Sequence, residues 1–197
     1  MKSAYRALVA LLLCVLSGAA SAQADLVDVL RQGGYHLFFR HAITDGQDPH
    51  KVNPPNETIA HCASQRLLNE AGRAQARQIG LTITQLGIPV GDVYASPFCR
   101  CEETARLAFA RVATVDWLLA QRGRSMPRLY QALRAVPSTG WFTQTPTGKN
   151  NVYVGHAITF SEGLVGPELG RHVLQEGEAL VIEPGEPPRV LGKIRFY

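Results

Sequence analysis

The chain has 197 residues, of which 46% are hydrophobic and 18% charged, a balance that excludes a disordered polar segment and suits one buried core. Its formal charge of +4 falls to +2 when Lys2 and Arg6 are set aside with the N-terminal segment, leaving 18 basic residues against 16 acids. No Lys/Arg-rich run with interleaved aromatics occurs, so neither charge nor pattern points to nucleic acid.

The opening stretch MKSAYRALVALLLCVLSGAASAQ has a basic start, an apolar run from Ala7 to Leu16 and small residues ending Ala20-Ser21-Ala22 before Gln23. It reads as a cleaved signal peptide over 1–22, the run being too short to span a bilayer, and predicts one periplasmic or secreted domain over 23–197 with no stable membrane anchor. Cys14 lacks a lipobox-like context. After cleavage Cys62, Cys99 and Cys101 remain, an odd number that predicts one disulfide and one free thiol in an oxidising compartment. Adjacent side chains at 99 and 101 diverge on a helix, so Cys62 pairs with Cys99 or with Cys101.

ADLVDVLRQGG predicts a helix stopped at Gly33-Gly34, and YHLFF a buried strand that runs into Arg40 and His41. From Ala42 to Ser64 the chain is an irregular loop rich in Gly, Pro and Asn, a length that usually serves function or is disordered. Ala76, Ile79, Ile83 and Leu86 lie on one helical face of NEAGRAQARQIGLTITQLG, which Gly87 closes. DVYA (92–95) is the second strand. Ser96-Pro97 reads as a cap and first helical residue opening SPFCRCEETARLAFA. VATV, a helix near 127–136, the polar loop PSTGWFTQTPTGKNN, then VYVG, EALVIEP and RVLGKIRFY as strands complete the order. Strands alternating with helices predict a three-layer α/β domain with a largely parallel sheet.

Ligands of such sheets gather at the carboxyl ends of the strands. Arg40-His41, Ser96 to Arg100 and His156 leave three of them, delivering two histidines and two arginines to one edge. An arginine beside LFF sits at the margin of a core and needs an anionic partner. There is no HExxH, Cys99 and Cys101 form only CxC, and two arginines would repel a cation, so the site is read as free of metal and cofactor. A phosphomonoester fits better: guanidinium forks bind its oxygens bidentately, and a neutral imidazole can accept a phosphoryl group.

FFRHAIT, YASPFCRCEETARLAF and NVYVGHAITF, with HCASQRLLNEAGRAQARQIG between them, resemble the motifs of the histidine phosphatase superfamily, in the expected order from about Tyr35 onward. The resemblance implies the phosphoglycerate-mutase-like fold, a three-layer α/β/α sandwich around a mostly parallel six-stranded sheet. It implies His41 as the phosphorylated nucleophile, Arg40 and Arg100 as phosphate ligands, and His156 as a hydrogen-bond donor to the phosphoryl oxygens. Water then releases the phosphate.

The chain departs from that pattern at the proton donor. Ala157 stands where the acid phosphatase branch has Asp, and no Asp or Glu lies between Trp117 and Ser161. Asp45 and Asp116 are the candidates, while Glu103 is expected to pair with Arg100 one turn away. The expected activity is an exported phosphatase of phosphomonoesters, including envelope-linked sugar phosphates. The alternative is a non-catalytic phosphate-binding protein that lacks its acid.

Overall fold

Alternation of apolar side chains decides the core before any helix is placed. In β1 (His36–Arg40) Leu37 and Phe39 point to one side of the sheet and Phe38 to the other, and all three are buried. The same division holds for Val152 and Val154 against Tyr153 in β4 (Asn150–Gly155), and for Ala179 and Val181 against Leu180 and Ile182 in β5 (Ala179–Glu183). A period of two with both faces apolar is what a covered sheet requires. The protein is seen in a computed structural model that describes residues 23–45, 59–118, 140–156 and 173–197.

With β2 (Val90–Ala95), β3 (Ala113–Thr114) and β6 (Arg189–Ile194), the strands form a six-stranded sheet in the order β3-β2-β4-β1-β5-β6. β3, β2, β4 and β1 run parallel, and β5 is antiparallel to both of its neighbours. The expected α/β fold with a mostly parallel sheet of six strands is therefore present.

One face is covered by three helices. Helix α1 (23–32) contributes Leu30, α2 (Glu70–Gln85) Ile79 and Ile83, and α3 (Cys99–Phe109) Cys101 and Ala105, all packed with the inner side chains of the sheet. Each fully buried Leu or Ile contributes on the order of 1.5–3 kcal/mol. On the other face Phe38, Tyr153, Leu180 and Ile182 pack with Leu118 of the turn Asp116–Leu118 and Phe142 of the helical turn Gly140–Thr143. The helix expected near 127–136, the signal segment and most of the long loop after His41 lie outside the described residues.

Local chemistry explains where α2 and α3 begin. Asn69 Oδ1 accepts from Gly72 N at 2.8 Å, capping α2 one residue before Glu70. The expectation for α3 needs correction. Its first helical residue is Cys99 with Phe98 in extended conformation before it, so Ser96-Pro97 precedes the helix and does not open it. The Ser96 side chain has another partner, described below. Glu103 is a second correction: Arg73 Nε donates to it at 2.7 Å, joining α2 to α3 and leaving Arg100 to other contacts. PSTGWFTQTPTGKNN is broken by the turn Gly140–Thr143.

Candidate active site

Register brings the predicted residues together. Arg40 lies beside Gly155, and Ala95 beside Val154 on the other side of β4, so β1, β4 and β2 end side by side at one edge. His41 N donates to Gly155 O at 2.9 Å and Ser96 N to Val154 O at 2.9 Å, tying the first residue after β1 and the first after β2 to the central strand. Gly155 is required here by space. A Cβ at that position would stand 2.8 Å from Cζ of the buried Phe38, so a side chain there would force the Phe38 ring or the strand end that carries His156 to shift.

His41 is 2% exposed and His156 5%, and their ring centroids are 5.5 Å apart at 67°. His41 Nδ1 lies 2.8 Å from Ala42 O. A carbonyl can only accept, so Nδ1 carries the proton and Nε2 keeps its lone pair. Burial holds the His41 pKa well below the usual histidine range, reinforced by the Arg100, Arg40 and Arg66 charges and opposed by the Ala42 hydrogen bond. The ring is therefore a neutral, nucleophile-ready imidazole at neutral pH.

His156 has the opposite arrangement. Arg100 Nη2 approaches its Nδ1 at 3.5 Å, and a guanidinium can only donate, so Nδ1 is the bare nitrogen. Nε2 then carries the proton and donates to Ser96 Oγ at 3.1 Å, which is the partner that replaces the expected helix cap. Burial also lowers this pKa well below the usual range, with Arg100, His41, Arg66 and Arg40 adding to it.

Arg100 is 3% exposed although charged, and α3 holds it there. Its guanidinium lies 4.4 Å over the Phe98 ring, and its Nη1 donates to Arg66 O at 3.4 Å. Thr104, one turn on, donates to Arg100 O at 2.6 Å and accepts from Ala42 N at 3.0 Å, locking α3 to the turn after His41. Arg40 Nη1 donates to Leu174 O at 2.9 Å, and its Nη2 lies 3.4 Å from Glu176 Oε1.

The segment before α2 is stapled to α3. Cys62 is bonded to Cys99, resolving the pairing left open by the sequence, and Cys99 N donates to the buried Gln65 Oε1 at 2.8 Å. Cys101 is the buried free thiol, with Sγ 3.4 Å from His156 Nε2. This staple carries Arg66 toward the site, where its charge bears on both histidines.

Sequence reasoning missed two residues, Arg66 and Glu176. Glu176 Oε1 accepts from Thr44 Oγ1 at 2.9 Å and lies 4.0 Å from His41 Nδ1. Only tertiary contact could reveal it, 135 positions beyond His41 and outside the described strands. Of the two expected proton donors, Asp45 is exposed and its charge bears on Arg73, and Asp116 is exposed at the start of its turn. Among the described residues no group of three or more His, Cys, Asp or Glu is placed to hold a metal ion. Three guanidiniums and one carboxylate surround two neutral imidazoles, an excess of positive charge suited to a tetrahedral dianion.

Several solved structures share this fold. The product of open reading frame Rv3214 from Mycobacterium tuberculosis aligns at 18% identity over 79% of this chain and 94% of its own, with a TM-score of 0.55. The ecdysone phosphate phosphatase from Bombix mori, solved with tungstate, aligns at 18% identity over 80% and 92%, with a TM-score of 0.53. The phosphoserine phosphatase from Entamoeba histolytica, solved with 3-phosphoglyceric acid, aligns at 13% identity over 81% and 95%, with a TM-score of 0.52. At these identities the likeness is one of fold. No curated protein matches the sequence. Residues 37–122 match the family model for the histidine phosphatase superfamily (branch 1), a stretch that contains Arg40, His41 and Arg100 and stops before His156. The match runs from β1 through α3, and the sheet places His156, which lies outside it, beside the same edge.

Proposed function

We propose that this protein is a metal-independent phosphatase that hydrolyses phosphomonoesters through a phosphohistidine on His41. The observation that carries the reading is the His41 tautomer: Nδ1–H is held by Ala42 O, and Nε2 faces its neighbours with a free lone pair and a depressed pKa. Arg40 and Arg100 are the proposed phosphate ligands, with Arg66 adding to the field, and they would withdraw charge from the phosphoryl oxygens as the bond to Nε2 forms. His156 is the proposed donor to a phosphoryl oxygen, with Ser96 sharing its Nε2 proton.

The disulfide between Cys62 and Cys99 supports a site that works in an oxidising compartment, in keeping with the signal-like N-terminus. That location directs the substrate search to phosphorylated sugars of the cell envelope. A second reading, a phosphate-binding protein without turnover, is favoured by one observation: both acids expected to protonate a leaving group are exposed.

Nitrophenyl phosphate separates the two, because nitrophenolate leaves without a strong acid. Turnover by the mature protein in EDTA, lost in His41→Ala, with an acid-labile and base-stable phosphoryl label on the Arg40-His41 peptide, is the expected result. Tight phosphate binding with neither turnover nor label would establish the binder. Loss of activity in EDTA would overturn the metal-independent mechanism.

A further inference from the structure

Glu176 belongs to none of the motifs, yet its carboxylate is built into the site from several directions. Thr44, three residues after the nucleophile, donates to it at 2.9 Å, and Arg40 Nη2 lies 3.4 Å away. Its backbone is held as firmly. Gln75 Nε2 donates to Glu176 O at 3.1 Å while Gln75 Oε1 accepts from Ile43 N at 3.1 Å, so one buried side chain on α2 fixes both the nucleophile turn and the Glu176 turn. Tyr197 donates to the same carbonyl at 3.1 Å. Gly177 follows with φ +79°, and a Cβ there would stand 2.6 Å from the Gln75 amide. Gly177 N in turn donates to Arg40 O and His41 O.

We propose that Glu176 is a positioning residue that balances the charge of the phosphorylated His41 ring while holding Arg40; the proposal rests on the phosphatase reading above. When the Nε2 lone pair forms the N–P bond, the P–O bond breaks and its electron pair leaves with the ester oxygen. Nδ1 keeps its proton, so the ring gains a positive charge. Burial and Arg100, Arg40 and Arg66 all oppose that charge, and His156 beside it is neutral. The Ala42 carbonyl at 2.8 Å favours it, and the Glu176 carboxylate 4.0 Å from Nδ1 adds a full negative charge on the same side of the ring. In the second step water attacks phosphorus, the N–P pair returns to Nε2, a water proton passes to solvent and the ring charge disappears.

The same carboxylate is misplaced to act as the general acid. Nδ1 is its nearest ring nitrogen, whereas a leaving oxygen would lie in line beyond Nε2. Glu176 also draws on Arg40 and repels a phosphate dianion. Its negative charge should therefore weaken phosphate binding and speed phosphoryl transfer, two effects of opposite sign that a merely structural residue would not produce.

The test uses the full mature chain with nitrophenyl phosphate and with inorganic phosphate. Glu176→Gln keeps the size and the acceptor for Thr44 but removes the charge. Its rate of His41 labelling is expected to fall on the order of 10- to 100-fold, while inorganic phosphate binds several-fold tighter and KM falls. Glu176→Asp should recover part of the rate. Thr44→Val, which keeps the charge but removes its tether, should slow labelling more weakly, and it carries the test should Glu176→Gln not fold. Labelling within twofold of the parent in both Glu176→Gln and Thr44→Val, or joint loss of rate and phosphate affinity, would overturn the proposal while leaving the phosphatase reading intact. A parent protein that never labels on His41 overturns that reading first and this proposal with it.

Discussion

His41 and His156 begin the same tetrapeptide, HAIT, follow adjacent parallel strands and lie buried within 5.5 Å of each other, yet they are in opposite states. His41 donates through Nδ1 to the next carbonyl and keeps Nε2 bare. His156 faces a guanidinium with Nδ1 and donates through Nε2 to Ser96. Identical local sequence thus yields one imidazole with a bare Nε2 and one that donates through Nε2, because a histidine tautomer is set by its neighbours and not by its flanking residues. Arg100 matters most in this division, since its donor-only guanidinium stands at His156 Nδ1 and cannot be matched by a second N–H there.

Replacing each ring tests the division most severely. His41→Asn should lower nitrophenyl phosphate turnover by on the order of 10³-fold or more and abolish the phosphoryl label. His156→Asn should cost about 10²-fold in kcat yet still label on His41, the size expected for one lost hydrogen-bond donor. Equal losses with no label in either variant would break the contrast between nucleophile and donor.

Two smaller effects sharpen it. Gly155→Ala places a methyl 2.8 Å from Phe38 Cζ, and overpacking of that kind should cost about 1–3 kcal/mol in urea unfolding and lower kcat by moving His156. An alanine variant as stable and as active as the parent would show that His156 does not depend on that close approach. Acid then tests neutrality. The pKa values of His41 and His156 are lowered by burial, and that of the buried His36, on the opposite face of the sheet, is lowered to about 4. The unfolded chain binds protons near pH 6.5 while the folded chain does not, so stability is full above that value and is lost as pH falls through the folded values. For His36 the window runs from about 6.5 to about 4, and between pH 7 and pH 5 the loss should be roughly 2 kcal/mol in urea unfolding. Over the same range nitrogen chemical shifts should report Nδ1–H at His41 and Nε2–H at His156; the same tautomer at both would refute the contrast directly.

Much of this site was legible in the sequence because strand ends and motifs are local. Apolar runs placed β1, β2, β4, β5 and β6 within a few residues, and Arg40, His41, Arg100 and His156 converge as their positions at strand ends implied. Errors arose where a side chain had two possible partners. Ser96 looks like a helix cap until His156 is beside it, and Glu103 looks like the partner of Arg100 until α2 brings Arg73 within 2.7 Å. Cys62 could have bonded to either cysteine of α3, and only the path of the segment before α2 selects Cys99.

By itself the sequence determined the strand-and-helix order, the residue types at the sheet edge and the chemistry they favour, since period, turn residues and side-chain charge are properties of short stretches. Tertiary structure alone decided the two tautomers, the disulfide partner, the arrival of Arg66 and the placement of Glu176 against Arg40 and His41. Each of these depends on distances between residues far apart in the chain. Hydrogen bonds and burial act over a few ångströms, so proton positions and charge balance exist only once the sheet has brought those residues together.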